Sequence, residues 1–436
     1  MLDVLRNRTY RHLFFAQVIA LLGTGLATVA LGLLAFDIAG ANAGAVLGTA
    51  LAIKMVAYIG VAPIAATFAE RLPRRGMLVA LDLVRAAVAL SLPFITEIWQ
   101  IYVLIFLLQS ASAGFTPTFQ ATIPDVLPDE AEYTKALSLS RLAYDMESLI
   151  SPALAAALLT LISFHSLFFG TVVGFIGSAL LVVSAVLPKA KQPPKRGIYE
   201  RTTRGTRIYL ATPRLRGLLA LNFAAAAGSA MVIVNTVVLV QGQLKLSPNA
   251  TAMALAAFGA GSMLVALCLP KLLERLADRS VMLAGAAILV AGLALGPLAT
   301  AQLFILLALW FCLGVGYSMV QTPSGRLLRR SSNPEDRPAL FAAQFALSHS
   351  CWLVTYPLAG WLGAKAGLNT SFIALAALGG VATLAATRLW PRLDPAALDH
   401  AHDLAPDHPH MSSGSPTAAG HAHPFVIDDE HRRWPT

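Results

Sequence analysis

Seven of the chain's ten histidines fall within its last 37 residues. They are set as His400-Ala-His402, His408-Pro-His410 and His421-Ala-His423, with His431 beyond and Asp399, Asp403 and Asp407 among them. Imidazole is the commonest metal-ligating side chain, and alternating histidines on a flexible strand can gather nitrogen and oxygen ligands around one borderline divalent ion. Nickel, cobalt, zinc and copper all suit that ligand set. The bland alternative is a disordered, solvated tail in which histidine is incidental. The histidines are spaced rather than run together, which argues against a purification tag. Cys268, Cys312 and Cys351 stand in apolar segments as small hydrophobes and imply neither disulfides nor a thiolate metal site.

A second set of candidates interrupts apolar sequence. An ionised side chain at the centre of a bilayer costs at least about 2.5 to 3.5 kcal/mol, so each must be paired or put to use. Lys54 lies roughly 13 Å into its apolar stretch at 1.5 Å per residue, too deep to reach the interface with ease, and is expected to pair with an acid. Asp82 and Arg85, three residues apart, share a helical face and can neutralise each other. The richest stretch holds Arg141, Tyr144, Asp145, Glu147, Ser148 and Ser151. Helical spacing puts Arg141, Asp145 and Ser148 on one face and Tyr144, Glu147 and Ser151 on another. Arg141 can then hold Asp145 while Glu147 faces a path, exchanging its proton for a cation. In the alternative, both acids sit solvated at a cytoplasmic mouth.

Composition fixes what positions these residues. Of 436 residues, 56% are hydrophobic and 13% charged, and mean hydropathy is +0.66. So little of the chain could face water that one soluble globule is excluded. A bilayer core about 30 Å thick takes roughly 20 apolar residues per helix. Twelve such stretches fall near 12–36, 45–68, 76–95, 98–118, 136–160, 164–187, 215–240, 250–272, 280–299, 301–324, 338–363 and 368–390. The first, opening with Arg6, Arg8 and Arg11, lacks a small-residue cleavage site and reads as a retained helix rather than a signal peptide. The expected fold class is an all-α polytopic membrane protein of twelve transmembrane helices.

Basic residues alternate between loops: Arg71, Arg74 and Arg75, then Lys189 to Arg216, Lys271 to Arg279 and Arg326 to Arg337, against little beyond Lys245 and Lys365 in the others. Both termini and the histidine tail are therefore expected in the cytoplasm. The net charge of +9 is accounted for by topology, with no nucleic-acid partner. No obligate protein partner is evident.

Residues 188–214 break the apolar pattern with prolines and basic residues, dividing the chain into six-helix halves over 1–187 and 215–390, with a tail over 391–436. Ala69-Glu70-Arg71 is echoed by Ala277-Asp278-Arg279, and Ser151-Pro152-Ala153-Leu154-Ala155 by Tyr356-Pro357-Leu358-Ala359-Gly360. Such duplication places a substrate path between the halves. Carried to the fifth helix, the offset of the second echo pairs Tyr144 with His349, a nitrogen ligand at matching depth across the axis or else a hydrogen-bonded core histidine. Gln17, Gln109, Asn222, Asn235, Gln321 and Gln344 offer further lining or helix-to-helix bonds. Glu70, Arg71, Arg74 and Arg75, with Asp82, Arg85, Asp278 and Arg279, are candidates for a latch that holds one conformation, or for simple orientation signals.

Glu70-Arg71-Leu72-Pro73-Arg74-Arg75 resembles the loop between the second and third helices of the major facilitator superfamily, with Glu70 where Asp is usual. Ser151-Pro152 with Ala155-Ala156 resembles a degenerate form of its antiporter motif. Leu5-Arg6-Asn7-Arg8-Thr9-Tyr10-Arg11 and Ala80-Leu81-Asp82-Leu83-Val84-Arg85-Ala86 look like the branch of enterobactin exporters, and the whole chain with its tail is similar to NreB-type nickel-resistance exporters. The resemblance implies efflux of Ni²⁺ across a bacterial inner membrane, linked to protons or to the membrane potential. It implies no cofactor beyond the metal carried. A drug or siderophore exporter is the alternative, and an importer with a metal-sensing tail a further one. An enzyme is not expected, since no G-x-x-x-x-G-K-[ST] loop occurs.

Overall fold

The computed structural model describes residues 2–39, 43–69, 72–188, 197–299, 302–395, 397–400, 415–417 and 420–435. Long runs rich in Ala and Leu, broken by Pro and Gly, fold into helices α1 (Arg8–Ala39), α2 (Ala43–Ala69), α3 (Arg74–Ser91), α4 (Ile98–Val126), α5 (Glu130–Leu159) and α6 (Phe164–Ser184). A shorter α7 (Ile198–Ala211) follows, then α8 (Pro213–Val237), α9 (Pro248–Leu273), α10 (Asp278–Ala299), α11 (Leu303–Gln321), α12 (Ser324–Arg330), α13 (Arg337–Ala366) and α14 (Leu368–Leu389). Ten of these are long and apolar enough to cross a membrane. The other two of spanning length, α5 and α13, have 30 residues each and reach about 45 Å. The richest polar stretch singled out above, Arg141 to Ser151, lies on α5, and His349 lies on α13. Together the twelve match the crossing helices expected.

The two halves repeat one packing plan. In the first, α1 lies against α5 and α6, α2 against α4, and α3 against α4 and α6. In the second, α8 lies against α13 and α14, α9 against α11, and α10 against α11 and α14. Across the divide α2 packs on α13 and α5 on α9, contacts that exchange with one another under the same pseudo-symmetry. Side chains such as Val173, Leu180, Val381 and Leu384 face outward, as a bilayer solvent permits.

Local signals set the ends that matter. Asp129 caps α5, its carboxylate accepting from Glu132 N at 2.8 Å, and Glu130 and Glu132 suit the helix's positive end. Gly367 joins α13 to α14 at φ 87°, a conformation glycine adopts without strain.

Part of the tail is built into the fold. Its described residues include three short antiparallel strands, β1 (Leu398–His400), β2 (Ser415–Thr417) and β3 (Gly420–His423), ordered β1-β3-β2 with His400 opposite His421. Beyond them Phe425 and Ile427 join the hydrophobic core of the second half, and the Arg214 guanidinium lies 4.9 Å from the Trp434 ring. Apolar burial at the chain's end, overshadowed in the sequence by histidine, anchors it.

Candidate transport cavity

A cavity of about 580 Å³ opens between the halves. The first half contributes Gln17, Lys54, Tyr58, Arg85, Arg141, Tyr144 and Glu147, and the second Tyr317, Gln321, Gln344, Phe345, His349 and Trp352. Five of the six residues expected on a transport path therefore line one cavity, Tyr144 from the first half and His349 from the second. Asp145 is the sixth, and it is 3% exposed and bonded to Arg141.

The faces of α5 divide as helical spacing requires. Arg141 pairs with Asp145, donates from Nε to Ser262 Oγ of α9 at 3.1 Å, and lies 4.9 Å from the Tyr317 ring. That arginine is spent on structure, and it ties α5 to the second half. Glu147, one face round, lines the cavity. The carboxylate fits because Gly25 of α1 has no side chain: a Cβ there would stand 2.1 Å from Ser151 Oγ and 2.9 Å from Glu147 Oε1.

Lys54 does not pair as expected. Among the described residues neither Lys54 nor Glu147 forms an ion pair, although both face the cavity and interact across it. The Lys54 ammonium lies 5.5 Å from the Tyr58 ring centroid, within cation–π reach. A basic and an acidic side chain thus both face the same space.

His349 Nδ1 lies 2.7 Å from Phe345 O. A carbonyl only accepts, so Nδ1 carries the hydrogen and the neutral ring holds its lone pair on Nε2. Tyr58 meets the ring edge-on at 4.7 Å between centroids, Phe345 at 4.3 Å and Trp352 at 5.9 Å. Trp352 is itself fixed by donation to Ser229 Oγ at 2.9 Å.

One end of the bundle, where the basic residues gather, is locked. Asp125 at the end of α4 accepts from Arg74 Nη1 at 2.5 Å and from Arg337 of α13. Arg326 of α12 reaches Glu130 at 2.6 Å, Thr134 Oγ1 at 2.6 Å and Asp278 at 3.1 Å, and Arg329 donates to Pro128 O. Arg201 of α7 donates to Thr67 O at the end of α2, while Arg204 grips Asp336 in two bonds of 2.5 and 2.8 Å and reaches Asp429 of the tail at 2.8 Å. Charge-assisted bidentate bonds of this kind fix geometry well.

Of the expected latch residues, Arg74 and Asp278 belong to this lock. Arg75 and Arg279 do a different job: they donate to Ala185 O at 2.8 Å and Trp390 O at 3.0 Å, closing the last turns of α6 and α14 at equivalent places in the two halves. Asp82 and Arg85 pair as the sequence predicts, with Ser178 donating to Asp82 at 2.8 Å and Arg85 set between Phe115 at 4.0 Å and Phe175 at 4.5 Å. That cluster lies inside the first half, and among the described residues its ion pair and hydrogen bonds all stay there. Glu70 and Arg71 lie outside the described residues. Sequence reasoning missed Asp125, Arg326, Arg329 and Arg337 as lock residues. An acid at the end of an apolar stretch, in Pro124-Asp125, was the available signal.

Of the tail's metal candidates, His402, His408 and His410 lie outside the described residues, and His400 and His421 stand in strands. His423 Nδ1 donates to Pro424 O and His431 Nδ1 to Asp428 Oδ1, each at 2.9 Å, with the two rings 5.2 Å apart. Burial works against the Asp428 carboxylate, but bonds from His431 outweigh it and hold its pKa at about 2. Among the described residues no group of three or more His, Cys, Asp or Glu stands ready to hold a metal.

Known proteins share this architecture. The solved structure of the human organic anion transporter MFSD10 (TETRAN) superposes with a TM-score of 0.72 over 87% of this chain and 99% of that one, at 12% identity. The fucose:proton symporter FucP of E. coli gives 0.68 over 88% and 98%, at 15%. The MFS-type transporter YvqJ of Bacillus subtilis (strain 168) is 24% identical over 80% of this chain and 84% of its own. Others align in part: YfiS of the same organism is 28% identical and macrolide efflux protein A of Streptococcus pyogenes 24%, over 31% and 33% of this chain. The chain spans about a third of the length of those two relatives, 33% and 38%. The family model of the Major Facilitator Superfamily matches residues 13–221 and again 218–409. With a family match in each half of a twelve-helix fold built round a central cavity, the chain belongs to the major facilitator superfamily.

Proposed function

We propose that this transporter exports a divalent metal ion, nickel foremost, from the cytoplasm across a bacterial inner membrane in exchange for protons. The observation that carries the reading is the convergence of Glu147 and His349, an exchangeable carboxylate and an imidazole with its lone pair on Nε2, on one cavity from opposite halves. Those are nickel-compatible oxygen and nitrogen donors. The histidine tail and the resemblance to nickel-resistance exporters support the same substrate.

Residues 1–187 and 215–390 act as the two moving halves, with 188–214 as their connector and both termini in the cytoplasm. The basic, locked end then faces the cytoplasm, and the described conformation is the one that releases cargo outward. Protonation of Glu147 from outside displaces the metal, and its deprotonation toward the cytoplasm readies the cavity for the next ion. The tail raises the local metal concentration at the entrance.

A second reading has its own support. Walls containing Tyr58, Tyr144, Tyr317, Phe345 and Trp352 and a volume of about 580 Å³ suit an organic molecule, and macrolide efflux protein A carries its substrate in its name. Growth of a sensitive bacterial host with and without the protein separates the two. Raised tolerance to nickel, without a change toward erythromycin, supports metal export. Raised tolerance to the macrolide alone transfers the function to the organic class.

A further inference from the structure

The cavity is built for more than a naked or hydrated ion. Six waters at about 30 Å³ each give a hydrated dication roughly 180 Å³, under a third of the 580 Å³ available. Lys54 presents a positive charge to that space without an ion-pair partner among the described residues, and its ammonium repels a bare dication while attracting a carboxylate. Tyr58, Phe345 and Trp352 crowd the ring of His349, and such aromatic surface adds nothing to a shell of water but packs well on carbon.

We infer that the metal crosses as a complex with a small carboxylate chelator, Lys54 holding a carboxylate of the chelator while Glu147 and His349 face the metal end. The inference rests on the reading of metal export above and specifies the form in which the ion travels. It accounts for three features that export of a hydrated ion leaves idle: the surplus volume, the lysine and the aromatic walls. A basic and an acidic side chain facing one cavity suit a ligand that carries both a cationic and an anionic group.

Everted membrane vesicles, in which an exporter drives its cargo inward, test this directly. Radioactive nickel is supplied at fixed total concentration, alone or with citrate, malate or free histidine, each carrying its own label. The expected result is at least a several-fold rise in nickel uptake with one of the three, and entry of that chelator's label in constant ratio to the metal. Lys54→Gln lowers the stimulated uptake at least tenfold, and Lys54→Arg, which keeps the charge, restores most of it. Nickel uptake that only falls as each chelator lowers the free ion, with no chelator label inside, overturns the inference while leaving metal export standing. No nickel uptake under any condition overturns both.

Discussion

Asp125 and Arg337 stand 212 residues apart in the chain, yet form an ion pair that joins the end of α4 to the start of α13. Because Asp125 also holds Arg74 at 2.5 Å, one carboxylate ties together two helices of the first half and one of the second. Opening that end of the bundle requires the Asp125–Arg337 bond between the halves to break.

Asp125→Asn removes the charge from this junction. Hydrogen bonds to charged groups contribute about 1.5 to 3 kcal/mol, so the equilibrium shifts roughly ten- to a hundredfold toward the conformation open at the basic end. Spin labels placed on the ends of α4 and α13, read by pulsed distance measurements, should report a broadened and lengthened distribution. An unchanged distribution would remove Asp125 from the lock.

Gly25→Ala alters no chemical group of the cavity. It should nonetheless impair transport, because the new methyl would occupy the space of Ser151 Oγ and Glu147 Oε1, and α5 or the carboxylate must move. The expected outcome is a drop in transport rate of at least tenfold with little loss of folded protein. Wild-type rates in detergent-stable Gly25→Ala protein would show that the close contact of α1 and α5 places no constraint on Glu147.

His349→Phe keeps the aromatic packing with Tyr58 and Phe345 but deletes the nitrogen lone pair. Nickel transport should fall at least tenfold while any organic substrate is carried about as before. Equal loss of both would make His349 a packing residue.

The tail calls for substitution rather than truncation, since its end is built into the body through Arg204–Asp429 and the burial of Phe425 and Ile427. Replacing the seven tail histidines by Asn should lower nickel tolerance a few-fold without abolishing it. Asp429→Ala, which touches the anchor alone, should leave metal binding by the tail intact in isothermal titration with nickel. Complete loss of export on replacing the histidines would place the tail on the obligatory path.

Much of this was legible in the chain. Hydropathy located twelve helices because each must bury some twenty apolar residues in lipid. The i, i+4 spacing of Arg141 and Asp145 separated the spent acid from Glu147, and a repeat offset pointed to His349, which lines the same cavity as Tyr144 from the other half. What stayed hidden depends on contacts made across the fold. Lys54 was expected to have an acid because burial of a lone charge is costly; Glu147 is the acid it interacts with, but in one cavity rather than in a contact ion pair. Asp125 could not be assigned its partners, since Arg74 and Arg337 reach it only once both halves have folded. Asp82 and Arg85 announced their pairing but not that it closes within one half. The first echo misled in detail: it set Arg279 beside Arg71, whereas Arg279 caps α14 as Arg75 caps α6.

The central claim is that Glu147 exchanges protons for metal in this cavity. Its most direct test is the efflux of radioactive nickel from preloaded proteoliposomes under an imposed proton gradient, comparing wild type with Glu147→Gln. The account predicts efflux accelerated by the gradient in wild type and indifferent to it in the variant, at rates at least tenfold lower. Gradient-driven efflux that survives in Glu147→Gln would contradict it.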